Sequence, residues 1–192
     1  VRGASAPRRL RHQRLSGRST PAAFRALAAA LAVRGRRLRR LHLHLNTLGF
    51  VALAAVGTLQ VLLPTTVMRQ DGDAAKRLHE DLKWAVGGAV LTSVGAAWLP
   101  ALAWAGLVLW AIPLVRLLLA WIGRFRDAII AMHGAAVSLA AALVGFMLLL
   151  LAGALHSGGA LQGSHAVPAY FLGFLLPLVT GAVTHLLPLW IR

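Results

Sequence analysis

The strongest constraint on this chain is an apolar segment that occurs twice. Residues 48–64 and 172–188 share one pattern: Leu-Gly-Phe, six residues, Gly, four residues and Leu-Leu-Pro, with every matching position displaced by 124 residues. Self-similarity at a fixed period indicates an internal repeat. With its flanking residues, each copy approaches the roughly 20 residues that a helix needs to cross a bilayer. We therefore expect two equivalent transmembrane helices, named here the first and the second repeat copy.

Composition assigns the whole chain to the membrane. Hydrophobic residues make up 58% of the 192 and charged residues 13%, and the apolar residues fall in long runs. That combination is typical of an integral membrane protein. The chain has no cysteine, which excludes disulfides, iron-sulfur clusters and thiolate metal sites.

The apolar runs predict an all-α, polytopic transmembrane bundle of about five spans. Residues 84–123 carry Arg116 as their only charge, and Pro100 divides them into two helices, since proline disfavours helix in the residue before it. Four helices separate the starts of the two copies, so both should cross in the same direction, giving a parallel four-helix repeat. The predicted spans are 43–63, 84–99, 101–122, 128–155 and 168–190.

The first copy has a polar and small stripe. At about 100° per residue, one face of an α-helix collects His42, Asn46, Gly49, Leu53, Gly57, Gln60 and Pro64. Because lipid penalises the amide side chains, this stripe is expected to face other helices. The predicted helix-packing residues are Asn46, Gly49 and Gly57, with Gly173 and Gly181 in the second copy.

The N-terminal region is strongly basic. Residues 1–40 hold 12 of the 20 basic residues, and the remainder of the chain balances at 8 basic minus 5 acidic, or +3. We interpret 1–40 as a largely disordered tail with a short surface helix at 21–33, in contact with anionic lipid; a secretory signal is the rival interpretation. No nucleic-acid partner is expected, because no stacking aromatic residues accompany the arginines.

The same arginines predict orientation. By the positive-inside rule the N-terminus is cytoplasmic, in a multi-pass protein of a bacterial inner membrane. Residues 41–192 then form the transmembrane domain.

The histidines are the candidate ligands. His42 and His44 are the predicted metal site, and His133 and His185 the predicted cofactor-binding residues, because imidazole is the commonest protein ligand of copper, iron and zinc. Residues two apart point about 200° apart on a helix, so His42 and His44 cannot share one metal unless the helix begins after them. The alternatives are an interfacial role for the first pair and polar helix contacts for the second.

The segment from Arg40 to Phe50, with Gly57 and Leu62-Leu63-Pro64 after it, resembles the histidine-led helices of the haem-copper oxidase subunit I superfamily. Within that superfamily it resembles the cbb3-type branch in particular, and it is more similar still to a bacterial branch that carries His-x-His-x-Asn-x-x-Gly. The resemblance implies a fold of four-helix repeats, haem or copper as cofactors, and His44 with Asn46, or His42, as a copper-ligand position.

Two functions follow as hypotheses. The first is haem or copper binding through these histidines, for electron transfer or for nitrogen-oxide or copper handling. The second is a cofactor-free scaffold or subunit of a larger complex. The chain alone is not expected to be catalytic; other membrane subunits or self-association are expected to complete the bundle.

Overall fold

The computed structural model describes residues 22–131, 134–157 and 165–191, with the side chains of Ser157 and Leu189 excepted. This part of the chain is helical apart from short connections, of which residues 67–73 form the longest, and it contains no strands. The predicted all-α class is confirmed. Residues 1–21 of the predicted tail, and residues 132–133, 158–164 and 192, lie outside the described residues. The helices are α1 (Ala22–His44), α2 (Leu53–Thr66), α3 (Ala74–Ala97), α4 (Pro100–Ile130), α5 (Gly134–Ser157), α6 (Ala166–Tyr170) and α7 (Leu176–Trp190).

The chain divides into two units, residues 1–35 and 36–192. In the first unit the described residues 22–35 are helical, and all of their side chains are exposed, including Phe24, Leu27 and Leu31. The bundle is formed by the second unit. Its hydrophobic core is built around Trp110, Trp121, Phe125, Phe146 and Phe174.

Four helical stretches of the described chain are long and apolar enough to cross a membrane: Ala22–Thr66, Pro100–Ile130, Gly134–His156 and Ala166–Pro188. The predicted multi-pass membrane architecture agrees with this finding. Helix α3 is not among the four, because its first half carries Lys76, Arg77, Glu80, Asp81 and Lys83. Its apolar second half corresponds to the span predicted at 84–99.

Glycines bring the backbones of α3 and α4 into contact. A Cβ on Gly88 would lie 2.8 Å from the Gly106 carbonyl oxygen, and a Cβ on Gly95 would collide with the backbone nitrogen of Ala103. Pro100 begins α4 directly after Leu99, where its missing N–H costs no helical hydrogen bond. The α3–α4 hairpin is therefore a tightly packed pair of antiparallel helices, as the division at Pro100 predicts.

The direction of the repeat copies follows from contacts between neighbouring helices. Gly49 lies beside Ala89 and Gly57 beside Leu78, so α3 runs antiparallel to the first copy. In the same way, Gly145 lies beside Gly173 and Leu139 beside Gly181, so α5 runs antiparallel to the second copy. With α3 also antiparallel to α4, and α5 following α4 through a short connection, the two copies cross in the same direction. This is the predicted parallel four-helix repeat.

Both copies begin with a π-helical segment, which the sequence did not predict. These segments are Leu45–Ala52 and Phe171–Leu175, and each contains the Leu-Gly-Phe motif of its copy. In the second copy the wider turn precedes Pro177, whose ring cannot sit over the carbonyl four residues earlier in an α-helix. The first copy has no proline at this position. There the side chains of Asn46 and Thr47 donate hydrogen bonds to the backbone carbonyl oxygens of His42 and Leu43, and such bonds compete with the regular α-helical pattern.

The π-helical turns change which residues share a face. An α-helix would align His42 and Asn46 with Gln60 and Pro64, but the π-helical segment between these pairs turns less per residue. As a result His42 and Asn46 are exposed, whereas Gln60 and Pro64 are buried. The predicted polar stripe is thus split into two faces.

The two copies bury opposite faces. Five positions that are buried in the first copy are exposed in the second: Leu48/Leu172, Ala52/Leu176, Ala55/Val179, Leu59/Val183 and Leu63/Leu187. The reverse holds at the motif phenylalanine, since Phe50 is 72% exposed and Phe174 is fully buried. Phe174 stacks on Phe146 at 4.6 Å, and Phe146 meets the Trp110 ring edge-on at 5.4 Å. The motif phenylalanine therefore packs in the core in the second copy, whereas in the first copy it lies on the surface of the chain.

This difference predicts unequal effects of the same mutation. Phe174→Ala should lower the free energy of unfolding by about 3–5 kcal/mol, the usual cost of emptying an aromatic site in a packed core. Phe50→Ala in the isolated chain should change it by no more than about 0.5 kcal/mol. Unfolding of both variants in mixed detergent micelles measures the two values; equal losses would contradict the opposite-face arrangement.

Candidate functional site

The histidines at the start of the first copy are held by local hydrogen bonds. The Asn46 amide nitrogen lies 3.0 Å from His42 Nε2, and His44 Nδ1 lies 2.8 Å from the Arg40 carbonyl oxygen. In neutral His44 this contact makes Nδ1 the donor, which leaves Nε2 as a free acceptor. His42 is exposed and His44 is half-buried.

The predicted ligands do not form one cluster. Among the described residues no group of three or more His, Asp or Glu side chains could hold a metal ion. His185 is half-buried late in the second copy, and His133 lies outside the described residues. The described predicted ligands His42, His44 and His185 therefore take part in no three-ligand metal site.

The predicted packing residues have different surroundings. A Cβ on Gly181 would lie 2.9 Å from the Leu139 side chain, and a Cβ on Gly145 would collide with the Gly173 carbonyl oxygen. A Cβ on Gly49 would lie 3.3 Å from the Leu45 side chain of the same segment but 4.0 Å from Ala89 of α3, and a Cβ on Gly57 would lie 3.9 Å from Leu78, so neither is needed for a close approach to α3. Asn46 faces outward. The close helix approach is therefore at the second copy and at the α3–α4 hairpin.

A network of arginines and carboxylates lies at the opposite end of the first copy. All five acidic residues of the chain form ion pairs there, and we call this set the ion-pair cluster: Asp71 with Arg77 and Arg124, Asp73 with Arg124, Glu80 and Asp81 with Arg116, and Asp127 with Arg69. The ion-pair cluster links three parts of the chain: the loop between α2 and α3, helix α3 and helix α4.

The inner part of the cluster is buried. Arg77 donates from Nε to Gln60 Oε1 at 3.0 Å and from Nη2 to Asp71 Oδ2 at 2.8 Å. Gln60 is fully buried in the first copy, and the Arg77 and Asp71 side chains are 8% and 1% exposed. A buried charge pair needs such complete hydrogen bonding to offset the loss of hydration. This contact connects α2, the following loop and α3.

Asp81 is the least satisfied carboxylate of the cluster. Its side chain is 2% exposed, and Arg116 Nη1 lies 3.0 Å from its Oδ1. The angles at this contact are not those of a hydrogen bond, so neither Asp81 oxygen accepts one. The Arg116 Nη2 hydrogen bond goes to Glu80 at 2.7 Å. Burial raises the pKa of Asp81, while the charges of Arg116 and Arg77 act in the opposite direction.

The outer members of the cluster are ordinary surface pairs. A hydrogen bond from Arg124 lowers the pKa of Asp73, and one from Arg116 lowers the pKa of Glu80. The hydrogen bond to Asp127 raises the pKa of Arg69. Because these groups are exposed, solvent screens each pair and its contribution to stability is small.

Further buried polar atoms without a hydrogen-bond partner in the described chain belong to Gln60 (Nε2), Thr92 (Oγ1), Trp110 (Nε1) and Trp121 (Nε1). Three of these are obligate donors, while the unpaired oxygens of Asp81 are acceptors.

The ion-pair cluster was not predicted from the sequence. The missed signal is Arg116, the single charge in residues 84–123. A lone arginine in an apolar helix requires a partner, and Glu80-Asp81 lies at a matching distance before the predicted hairpin at Pro100. The ion-pair cluster holds α3 and α4 together, and it contains one buried carboxylate, Asp81, that accepts no hydrogen bond.

Comparison with known proteins gives no match: no protein-family model fits the chain, and none of the curated proteins or solved structures compared with it is similar. The structure itself shows a helical protein with several helices that are long and apolar enough to span a membrane.

Proposed function

We propose that this chain is a helical subunit of a larger membrane assembly, in which its first and last spans contact further transmembrane helices. The observation that carries this proposal is the burial of opposite faces by the two repeat copies. In the second copy the motif phenylalanine, Phe174, is covered by α5; in the first copy the equivalent Phe50 is 72% exposed.

The exposed face of the first copy has the composition of a helix-packing surface. We define it as the outer face of the first copy: Asn46, Phe50, Ala54, Thr58 and Val61, all exposed. Small and hydroxyl residues at this spacing favour close helix contacts in membranes.

Photocrosslinking tests the proposal. With a photoreactive amino acid at position 50, irradiation of native membranes should give an adduct with a membrane-spanning polypeptide. The same probe at Leu148, an exposed residue of α5, should label lipid only. Lipid adducts alone at both positions would refute the proposed assembly.

Haem or copper binding is a second candidate, favoured by the hydrogen bond at His44. Metal-bound histidines almost always donate their other ring N–H to a carbonyl or carboxylate, and the contact of His44 Nδ1 with Arg40 provides this orientation. A single such imidazole fits one axial ligand of haem or one position of a copper site. His42, His133 and His185 are the further proposed ligands.

A spectrum of the purified protein tests this candidate. Protein expressed with haem and copper available should show a reduced-minus-oxidised haem band or stoichiometric copper, and His44→Ala should abolish the signal. His79→Ala is the control, because His79 is an exposed residue of α3. Absence of both signals in the unmodified chain would remove this candidate.

We also propose that the arginines at 36–40, which are exposed on α1, contact anionic headgroups on the cytoplasmic side of a bacterial inner membrane. Labelling of single-cysteine variants in intact cells tests the orientation. Arg39→Cys should be protected from an impermeant reagent, and Gly72→Cys should be labelled.

A further inference from the structure

We propose that the partner of the outer face of the first copy is the last span of a second copy of this chain, joined head to tail. This deepens the proposed assembly by naming its partner. The surface that would be inserted is the outer face of the second copy: Leu172, Leu176, Val179, Val183 and Leu187, all exposed.

The two outer faces lie at the same depth in the membrane. Within one chain the Tyr170 hydroxyl donates to the Thr47 carbonyl oxygen at 3.1 Å, so the two copies begin at one level. They also run in the same direction, as the antiparallel packing of α3 on the first copy and on α4, and of α5 on the second copy, indicates. Two chains inserted in the same orientation therefore present these faces to each other at matched depth, without any vertical shift.

The faces are complementary in side-chain size. The first copy offers a shallow surface at Ala54 and Thr58, bordered by Phe50 and Val61. The second copy projects Leu176, Val179 and Val183 at equivalent depths. Large side chains that enter a surface of small ones give the van der Waals contacts that drive helix association in lipid.

The contact would be heterologous, because one face of each chain binds a different face of the next. Heterologous contacts form a closed ring if the rotation that relates neighbouring copies adds up to a full turn, and an open linear assembly if it does not. An isologous dimer through either face alone would pair the small surface with itself, or the large one with itself, and would lose this complementarity.

Disulfide crosslinking tests the inference on a chain without native cysteine. The double variant Ala54→Cys with Val179→Cys, oxidised in native membranes, should form a ladder of dimers and larger species. Each single variant alone should remain monomeric, and the two singles expressed together should give dimers and nothing larger. As a matched control, Val115→Cys, exposed on α4, combined with Val179→Cys should give no ladder.

The outcomes separate this inference from the proposed function. A ladder only in the designed pair supports the head-to-tail contact. Dimers from Ala54→Cys alone would indicate an isologous contact and overturn it. The inference would also be overturned if the chain were monomeric in lipid nanodiscs and the probe at position 50 formed an adduct with a different polypeptide; the proposed subunit function would then still stand. Adducts with lipid alone would overturn both the inference and the proposed function.

Discussion

Gly145→Ala should lower the free energy of unfolding by about 3 kcal/mol, near the upper end of what overpacking costs. A Cβ at this position would collide with the Gly173 carbonyl oxygen, which is backbone and cannot rotate away. The helix that carries the second copy would have to move off α5, and the Phe146–Phe174 stack would separate with it. Denaturation in mixed micelles, followed by tryptophan fluorescence, measures the loss.

Gly153→Ala is the matched control on the same helix. Nothing lies within 4 Å of a Cβ added there, so the substitution should be neutral or stabilise by up to about 1 kcal/mol through higher helix propensity. Equal destabilisation by both variants would mean that α5 does not approach the second copy at Gly145.

Asp71→Asn and Asp81→Asn should have opposite consequences, although both carboxylates are buried in the ion-pair cluster. Asp71→Asn removes the countercharge of buried Arg77 and should cost about 3–5 kcal/mol of stability. Asp81→Asn removes a charge that accepts no hydrogen bond, and should leave stability at neutral pH within about 1 kcal/mol or raise it.

The pH dependence of stability provides a second measurement. Because burial raises the folded-state pKa of Asp81, its contribution favours folding below the unfolded pKa, about 4, and is lost as pH rises through the folded value. The unfolding free energy of the unmodified chain minus that of Asp81→Asn should therefore decline as pH rises above about 4. An identical profile in both proteins would show that Asp81 does not titrate in this window.

The architecture was predictable because it rests on local signals. Apolar length, Pro100 and the displacement of 124 residues gave the helical class, the hairpin and the parallel repeat. These features follow from the need to satisfy backbone hydrogen bonds within the membrane and to bury apolar side chains, and both requirements leave patterns that can be recognised in a single sequence. The predicted direction of the copies needed only a count of helices.

The faces of the helices were not predictable in the same way. The stripe of polar residues assumed a constant 100° per residue, and the π-helical segment at Leu45–Ala52 breaks that assumption. The ion-pair cluster was missed for a different reason, since its partners come from positions far apart in the chain. Arg116 and Asp81 become neighbours only once the α3–α4 hairpin has formed.

The cluster also affects the order of events during synthesis. Arg69 and Asp73 pair with residues of α4 that are 58 and 51 positions away in the chain. At about 5–20 residues per second this distance takes roughly 3–10 seconds to translate. During that interval the charged residues of the connection after the first span lack their partners from α4, and the ion pairs that join the first span, α3 and α4 form only when the end of α4 arrives.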